Sequence, residues 1–374
     1  MRIGFDLRPF LKEETGVGVY VRSLLAALAR LDAEDEFFLF SASWKDRFPR
    51  DRVPSFARGR FLDRRIPVRL LDSLWSRLEW PTLDSLFGIR LDLTHSPSPL
   101  VLPTKGKKIV TVHDLFFLER PEMADRQART AFARKIGRDV RAADGVVAVS
   151  EFTRGQVLER FGLEAARVRA IPHGLAEVWR RAPERSDLDR LRRDLDLPER
   201  FLLFVGAVEP RKNLPRLLEA VLLLSARGLR TPLVIVGRPG GDSGRVSETL
   251  RRRGLDSLVR VLGYLDEDRV RCLHRLATVL VFPSLFEGFG LPVIEAMASG
   301  LPVAASNTSA IPEVAGGAAL LFDPLRTEDI AEKVGLLWED ESFRESLIDK
   351  GRRRAEAFDW KRSAALTLEF YHAL

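Results

Sequence analysis

Cysteine is nearly absent: the 374-residue chain has one, Cys272. A single thiol excludes an intrachain disulfide framework and any Cys-rich zinc site. Histidine is scarce as well, with five residues and no two at metal-ligand spacing on one helix face. No apolar run approaches the ~18 residues that a membrane-spanning helix needs. The opening, MRIGFDLRPF, lacks the apolar centre of a secretory signal. Aromatic residues do not interleave with basic ones as they do on single-stranded nucleic-acid surfaces. Short-period repeats are missing too. What remains is 45% hydrophobic and 30% charged, enough apolar material for a real core. At roughly 150 residues per domain, the length predicts two to three domains. The expectation is a soluble, cytoplasmic, globular protein.

The net charge of +7 is unevenly placed. Residues 1–180 hold 31 Lys and Arg against 24 Asp and Glu, whereas residues 181–374 hold 29 of each. A basic N-terminal half points to an anionic partner: a phosphorylated substrate, a membrane surface or nucleic acid. An ordinary solvated surface gives the same count.

Short apolar runs alternate with helix-length segments throughout, the mark of a parallel α/β architecture. Strands are predicted at 2–6, 37–41, 91–94, 108–112, 145–149 and 168–171, then at 201–205, 232–236, 258–262, 278–282, 302–304 and 319–322. Helices are predicted at 17–31, 68–87, 126–142, 151–161, 213–228, 244–254, 267–276, 291–299, 327–337 and 341–356. Between the two sets lies the charged stretch 176–199, which reads as the connection between domains. The reading is two Rossmann-like domains, 1–176 and 177–358, with a last helix at 359–374 that packs back on the first or caps either.

Gly16 and Gly18 sit where the first strand hands over to a helix. Backbone N–H groups there can hold a phosphate, or the glycines simply start the helix. A dinucleotide fingerprint would need a third glycine at position 21, which is Val21, so a nicotinamide cofactor is not expected.

The densest chemistry lies in residues 279–316, VLVFPSLFEGFGLPVIEAMASGLPVAASNTSAIPEVAG. A strand ends, Glu287 and the loop Gly288-Phe289-Gly290 follow, and Leu291-Pro292 opens a helix that carries Glu295. One carboxylate is thus at the carboxyl end of a strand and the other is on the next helix, the edge where open α/β sheets bind ligands. The glycines leave N–H groups open at a helix start, which suits a diphosphate. Two carboxylates flanking such donors fit a nucleotide sugar, with hydroxyls at both ends and phosphate between. A glycosidase pair would not need the phosphate-directed glycines. Upstream, LLFVGAVEPRKNL ends a strand at Gly206 and places Arg211 and Lys212 just before a helix, a second phosphate clamp.

These segments resemble the E-x7-E motif and the EPRKN segment of retaining glycosyltransferases of family 4, the "glycosyl transferases group 1", with the GT-B fold. The resemblance implies two Rossmann-like parallel-sheet domains facing across a cleft. It implies that Glu287 holds the donor sugar, that Glu295 holds the ribose, and that Phe289, Gly290 and Leu291 supply backbone contacts. Arg211 and Lys212 would neutralise the leaving diphosphate. Ala207 stands where many members have Arg, Thr or Ser. His113-Asp114 resembles the family's T-x-HD segment, which places His113 near the anomeric centre and lets Asp114 order the site. His95, in DLTHSPSP, is expected to line the acceptor side, and His173, in IPHGL, resembles a turn at the domain junction. His274 and His372 fall on helices and read as structural.

Asp-x-Asp spacing occurs at Asp187/Asp189, Asp194/Asp196 and Asp266/Asp268, but none follows a strand beside a glycine loop. No metal and no cofactor are expected; the cations and helix dipoles would carry the phosphate charge. Segment 64–87 predicts an amphipathic helix with Leu70, Leu71, Leu74, Trp75 and Leu78 on one face, preceded by Arg60, Arg64 and Arg65. That face either packs on the domain or meets an anionic membrane.

The expected activity is hexose transfer, with retention, from a nucleoside diphosphate sugar to a hydroxyl of a glycan, polysaccharide or glycolipid. GDP-mannose is the first choice of donor and UDP-sugars are the second. A GT-B nucleotide-sugar epimerase, or a non-catalytic nucleotide-sugar or nucleic-acid binder, are the alternatives. Peripheral contact with the inner face of a membrane is compatible with either placement of the helix.

Overall fold

The computed structural model describes residues 1–10, 16–31, 34–45, 54–123 and 133–374. The chain divides into two compact units, Met1–Gly174 with Asp359–Leu374, and Leu175–Phe358. Each is built on one parallel sheet with helices on its faces.

The first unit has seven strands: β1 (Arg2–Asp6), β2 (Glu36–Ala42), β3 (Gly59–Arg64), β4 (Leu93–Ser96), β5 (Lys107–Val112), β6 (Gly145–Ala148) and β7 (Val168–Ala170), in the order β3-β2-β1-β4-β5-β6-β7. Burial on both faces explains the continuous apolar runs, such as Phe37 to Phe40 with every side chain buried. The second unit has six: β8 (Leu202–Val205), β9 (Leu233–Val236), β10 (Val259–Gly263), β11 (Val279–Phe282), β12 (Val303–Ser306) and β13 (Leu320–Phe322), in the order β10-β9-β8-β11-β12-β13. Its core joins Leu202, Phe204 and Val281 to Leu217, Val221 and Leu337 from the covering helices.

Three readings change, and a fourth falls partly outside the described residues. β3 has no predicted counterpart: GRFLDR is an edge strand, half exposed and charged, so it lacks the apolar signature. The predicted 68–87 helix is two, Val68–Leu78 and Leu83–Phe87, broken where Glu79 turns left-handed ahead of Pro81. The charged 176–199 stretch is not a free connection. It holds the Arg185–Asp194 helix, which buries Leu191 within the second unit, and Arg271 donates to the Arg181 carbonyl at 3.2 Å. The first part of the predicted 126–142 helix lies outside the described residues, which show Ala133–Ala142.

The last helix, Trp360–Ala373, belongs to the first unit and packs on the Gly16–Arg30 helix. A Cβ on Gly174 would lie 2.2 Å from the Trp360 backbone nitrogen, so only glycine permits this approach. Tyr371 of this helix hydrogen-bonds His95 Nδ1, and Thr111 Oγ1 lies 2.7 Å from His95 Nε2. His95 is fully buried, and burial pushes its imidazole down to about 3, with His113 adding to the effect. Both ring nitrogens of His95 are thus engaged in tying the sheet to the last helix, and its side chain is fully buried. Tyr371→Phe should cost about 1–3 kcal/mol by orphaning a buried nitrogen. Chemical denaturation measures that loss, and turnover of the folded fraction should stay at the native level. Loss of turnover without loss of stability would instead support an acceptor-side role for His95.

Candidate functional site

In a doubly wound sheet, the strands flanking the point where the winding reverses leave a crevice at their carboxyl ends. In the second unit that point lies between β8 and β11. The segments leaving these strands are the two that the sequence singles out, 206–213 and 283–290. They are stitched together by backbone and side chain. Leu285 N donates to the Arg211 carbonyl at 2.7 Å, and Asn213 Nδ2 donates to the carbonyls of Pro283, at 3.2 Å, and Pro324, at 2.8 Å. Asn213 adopts a left-handed conformation, φ 58°, to cap the Pro210–Lys212 turn and open the Leu214–Ala226 helix.

Glu287 is 8% exposed, and both its oxygens are occupied. Lys212 Nζ donates to Oε1 at 2.5 Å, and Arg211 Nη1 donates to Oε2 at 3.0 Å. Arg211 Nε also donates to Glu209 Oε2 at 2.9 Å, so two cations are matched by two carboxylates. Burial alone would raise the Glu287 carboxyl. The charges and hydrogen bonds of Lys212 and Arg211 together outweigh it and hold the group below the usual carboxylate range. Burial pushes Lys212 down, with Arg211 acting in the same sense and Glu287 against it. Lys212 Nζ also lies over the Phe282 ring, 4.9 Å from its centre.

A second loop fixes Glu287 from behind. Its N–H donates to Ser309 Oγ at 3.0 Å, and Ala310 N donates to its carbonyl at 3.3 Å. Ser309 holds φ 56°, an unfavourable state for a non-glycine residue, and its hydroxyl donates to the Thr308 carbonyl at 2.7 Å. The Ser309 and Ala310 hydrogen bonds hold the backbone of Glu287 in one place.

Gly290, at φ 108°, turns the chain into the Leu291–Ala298 helix, with Pro292 in its first turn. A Cβ there would approach Ile311 Cδ1 to 2.6 Å. Gly288 precedes it in the same loop, and Phe289 directs its ring inward, edge-on to Phe358 at 5.6 Å. Only the backbone of Phe289 thus remains for a ligand. Glu295, one turn along the helix, is half-buried and pairs with no cation among the described residues. Burial, and secondarily Glu267, push its carboxyl up to about 8. Two glutamates eight residues apart therefore have opposite environments: Glu287 is ionised and clamped, and Glu295 titrates near neutrality.

In the first unit, Gly16 is exposed at the head of the Gly16–Arg30 helix and Gly18 is buried one turn in; the loop before them, 11–15, lies outside the described residues. His113 follows β5, and its Nε2 donates to the Pro97 carbonyl at 3.0 Å. A carbonyl can only accept, so Nε2 carries the proton and, in the neutral ring, Nδ1 is an acceptor. Burial lowers this imidazole to about 4, against the pull of the Pro97 bond. Its ring stacks on His173 (5.6 Å, 6°), and Tyr20 stands edge-on to both, at 4.9 and 5.1 Å. Asp114 Oδ1 accepts from Phe116 N at 3.2 Å and orders the turn that follows. His173 is thus a packing partner of His113. Sequence reasoning missed Tyr20, Glu209, Asn213 and Ser309. Tyr20 stands two residues beyond Gly18, and Glu209 and Asn213 flank Arg211 and Lys212 in the EPRKN segment.

Of the six Asp-x-Asp carboxylates, four have partners in the protein, Asp187 with Arg190 at 3.7 Å among them. Asp266 caps its helix by accepting from Arg269 N at 2.9 Å, Asp268 pairs with Arg271 at 2.9 Å, and Asp196 pairs with Arg260 at 2.8 Å. Among the described residues, no three His, Cys, Asp or Glu side chains gather as a metal site.

Known proteins match the chain along its length. The family described as "Glycosyltransferase Family 4" matches residues 15–177, and "Glycosyl transferases group 1" matches residues 187–354. The chain is 28% identical to the O-antigen chain mannosyltransferase B of Escherichia coli, over the whole of both. It is 30% identical to the MMP alpha-(1->4)-mannosyltransferase of Mycolicibacterium hassiacum, over 95% of this chain and 94% of that one. In fold it is similar to sucrose-phosphate synthase from Thermosynechococcus elongatus (TM-score 0.77, 23% identity, 99% and 98% of the two chains). It is also similar to Anabaena HepE, solved in complex with UDP and glucose (TM-score 0.76, 18% identity, the whole of both chains). With two Rossmann-like parallel-sheet units of the GT-B class, the chain belongs to glycosyltransferase family 4, the group 1 glycosyl transferases, and is a glycosyltransferase.

Proposed function

We propose that the protein transfers mannose from GDP-mannose to a hydroxyl of a growing polysaccharide or glycolipid glycan, with retention of configuration. The observation that carries the donor-site reading is the Lys212–Glu287–Arg211 cluster at the winding reversal of the second unit. The choice of mannose rests on the mannosyltransferases to which the chain is similar. A UDP-sugar is the second reading, favoured by the UDP bound in Anabaena HepE.

Arg211 and Lys212 would receive the diphosphate, with the start of the Leu291–Ala298 helix adding its N–H groups. Glu295 would accept the ribose hydroxyls. Glu287 is a weak nucleophile and a weak base, because both oxygens are bound to cations and its carboxyl is held low. Its role is to orient the sugar. His113, neutral and protonated on Nε2, offers Nδ1 to a substrate hydroxyl and has no proton there to give. Asp114 keeps that turn in place, and Gly16, exposed at the start of its helix, would offer its backbone to the donor. The bond from the anomeric carbon to the diphosphate oxygen breaks, the acceptor oxygen bonds on the same face, and its proton passes to the departing diphosphate. The phosphate charge is met by protein cations without a metal. The enzyme would act in peripheral contact with a membrane: among the described residues no helix is long and apolar enough to cross one, so lipid-linked acceptors would be met at the surface.

Calorimetric titration of GDP and of UDP, without metal, tests the donor. The expected result is saturable binding of GDP, at least about tenfold tighter than UDP. Tighter UDP binding would replace the donor, and binding of neither, with or without Mg²⁺, would end the reading.

A further inference from the structure

Tyr20, on the Gly16–Arg30 helix, is buried. Its hydroxyl lies 3.1 Å from Thr111 Oγ1 of β5, and its ring stands perpendicular to the His113 imidazole, 83° with centres 4.9 Å apart. Side chains alternate across a strand, so Thr111 and His113, two positions apart, lie on one side of the chain that carries them. Tyr20 therefore grips the end of β5 at both places, by a hydrogen bond at Thr111 and by ring contact at His113. A single hydrogen bond leaves an imidazole free to swing about it. The bond from His113 Nε2 to the Pro97 carbonyl fixes where that nitrogen points and leaves the plane of the ring open. The neighbouring rings fix the plane: His173 lies parallel to it at 6°, and Tyr20 stands across both, at 83° and 81°. Rings at these separations and angles attract one another beyond the area they bury.

Tyr20 is itself held. Thr111 Oγ1 also meets His95 Nε2 at 2.7 Å, and His95 Nδ1 hydrogen-bonds Tyr371. The Trp360 ring lies 6.0 Å from that of Tyr20 and stands edge-on to His173 at 5.7 Å. Trp360 and Tyr371 are about three turns apart on the last helix and share its buried face with Ala364 and Thr367. One helix face thus closes the cluster at both ends.

We propose that Tyr20 is a positioning residue for the transfer: its ring holds the His113 imidazole in the plane from which Nδ1 meets a substrate hydroxyl. This rests on the role proposed for His113 above and goes beyond it, because Tyr20 acts through the imidazole and not on the substrate. Small misplacements of a reacting group are costly in rate, so a ring that fixes one angle is worth more to turnover than to binding. Tyr371→Phe leaves the bonds of Thr111 to His95 and Tyr20 in place, so it spares turnover while Tyr20 substitutions do not.

The test compares Tyr20→Leu, which removes the ring, with Tyr20→Phe, which keeps it, in the full chain. Imidazole ¹⁵N resonances give the first readout, with those of His113 identified by their loss in His113→Ala. In the unaltered protein and in Tyr20→Phe they should show one fixed tautomer, protonated on Nε2. In Tyr20→Leu the two nitrogen shifts should move toward each other as the tautomers exchange. Turnover is the second readout, followed as GDP released from GDP-mannose with water as acceptor. Tyr20→Leu should lower kcat about tenfold or more with KM within about twofold, and Tyr20→Phe should stay within about threefold of native. On a His113→Ala background, Tyr20→Leu should cost less than about twofold, since the two residues act as one unit. A tyrosine that only stabilises the fold would lower the melting temperature and leave the His113 resonances and the kcat of folded protein unmoved; that result overturns the proposal. So does an equal fall in kcat with and without His113. Loss of turnover in His113→Ala beside native turnover in Tyr20→Leu removes Tyr20 alone, whereas native turnover in His113→Ala overturns the role of His113 and this proposal with it. If Tyr20→Leu does not fold, Tyr20→Met, whose flexible side chain fills the space better, takes its place in both readouts.

Discussion

Glu287→Gln should lower turnover by about a hundredfold or more and destabilise the second unit by about 3 kcal/mol at neutral pH. The reason is the cluster itself. Each carboxylate oxygen receives one cationic donor, Lys212 on one side and Arg211 on the other. Glutamine keeps one acceptor and turns the other into an N–H₂ group that opposes a cation. Lys212, 6% exposed, is then left buried with its main counter-charge removed. Its folded-state pKa, already lowered by burial, falls further, while the unfolded value stays near the ordinary lysine range. Between those two values the unfolded chain binds the extra proton, so stability of the variant rises with pH in that window. Urea unfolding at pH 7 and at pH 9 should therefore show the deficit shrinking at the higher pH. Steady-state kinetics completes the test. Native turnover with the expected loss of stability would make Glu287 a structural residue only, and an unchanged urea midpoint would contradict the buried pairing.

The sequence disclosed the site better than the scaffold that holds it. Glu287, Glu295, Arg211 and Lys212 are legible because chemistry restricts the residue type: anions and cations beside glycines, each at the end of an apolar strand. The strand pattern is legible for a related reason. Two-sided burial forces runs such as Phe37–Phe40 and Val279–Phe282, which no helix period would produce. β3 escapes because an edge strand meets water and carries Arg60, Asp63 and Arg64. Ser309 and Asn213 escape for a different reason. Their work is done through backbone angle and long-range hydrogen bonds: Ser309 leaves no local spacing to read, and Asn213, though it closes the EPRKN segment, shows nothing there of the carbonyls it binds. The burial of His95 was not legible, because a buried histidine on a strand and an exposed one at its end look alike in sequence. What separates them is Tyr371, 276 residues away.

Glu295→Gln should move stability and nucleotide affinity in opposite directions. The carboxyl titrates at about 8 in the folded chain and near 4.5 when unfolded. The unfolded state therefore loses its proton first. As pH rises from 4.5 to 8, the native state pays an increasing desolvation penalty, and stability falls. Glutamine has no such slope. Because Glu295 is only half-buried, solvent screening reduces the effect, and the variant should be more stable by about 1–2 kcal/mol near pH 8.5 and unchanged near pH 4.5. For a unit of this size that is a rise in melting temperature of roughly 2–8 °C. The same substitution should weaken GDP about tenfold, because an ionised carboxylate accepts both ribose hydroxyls and an amide accepts with one oxygen only. Binding by ionised Glu295 also makes nucleotide uptake release a proton below pH 8. Wild-type affinity should rise from pH 6 to pH 8, and the calorimetric heat should vary with the ionisation enthalpy of the buffer. A desolvated carboxylate without a cation, kept at the expense of stability, is the trade that a binding role requires. If the variant gains no stability and GDP binds it as tightly, with no proton exchange in the native enzyme, then Glu295 does not meet the ribose, and the raised carboxyl is a packing accident of the helix.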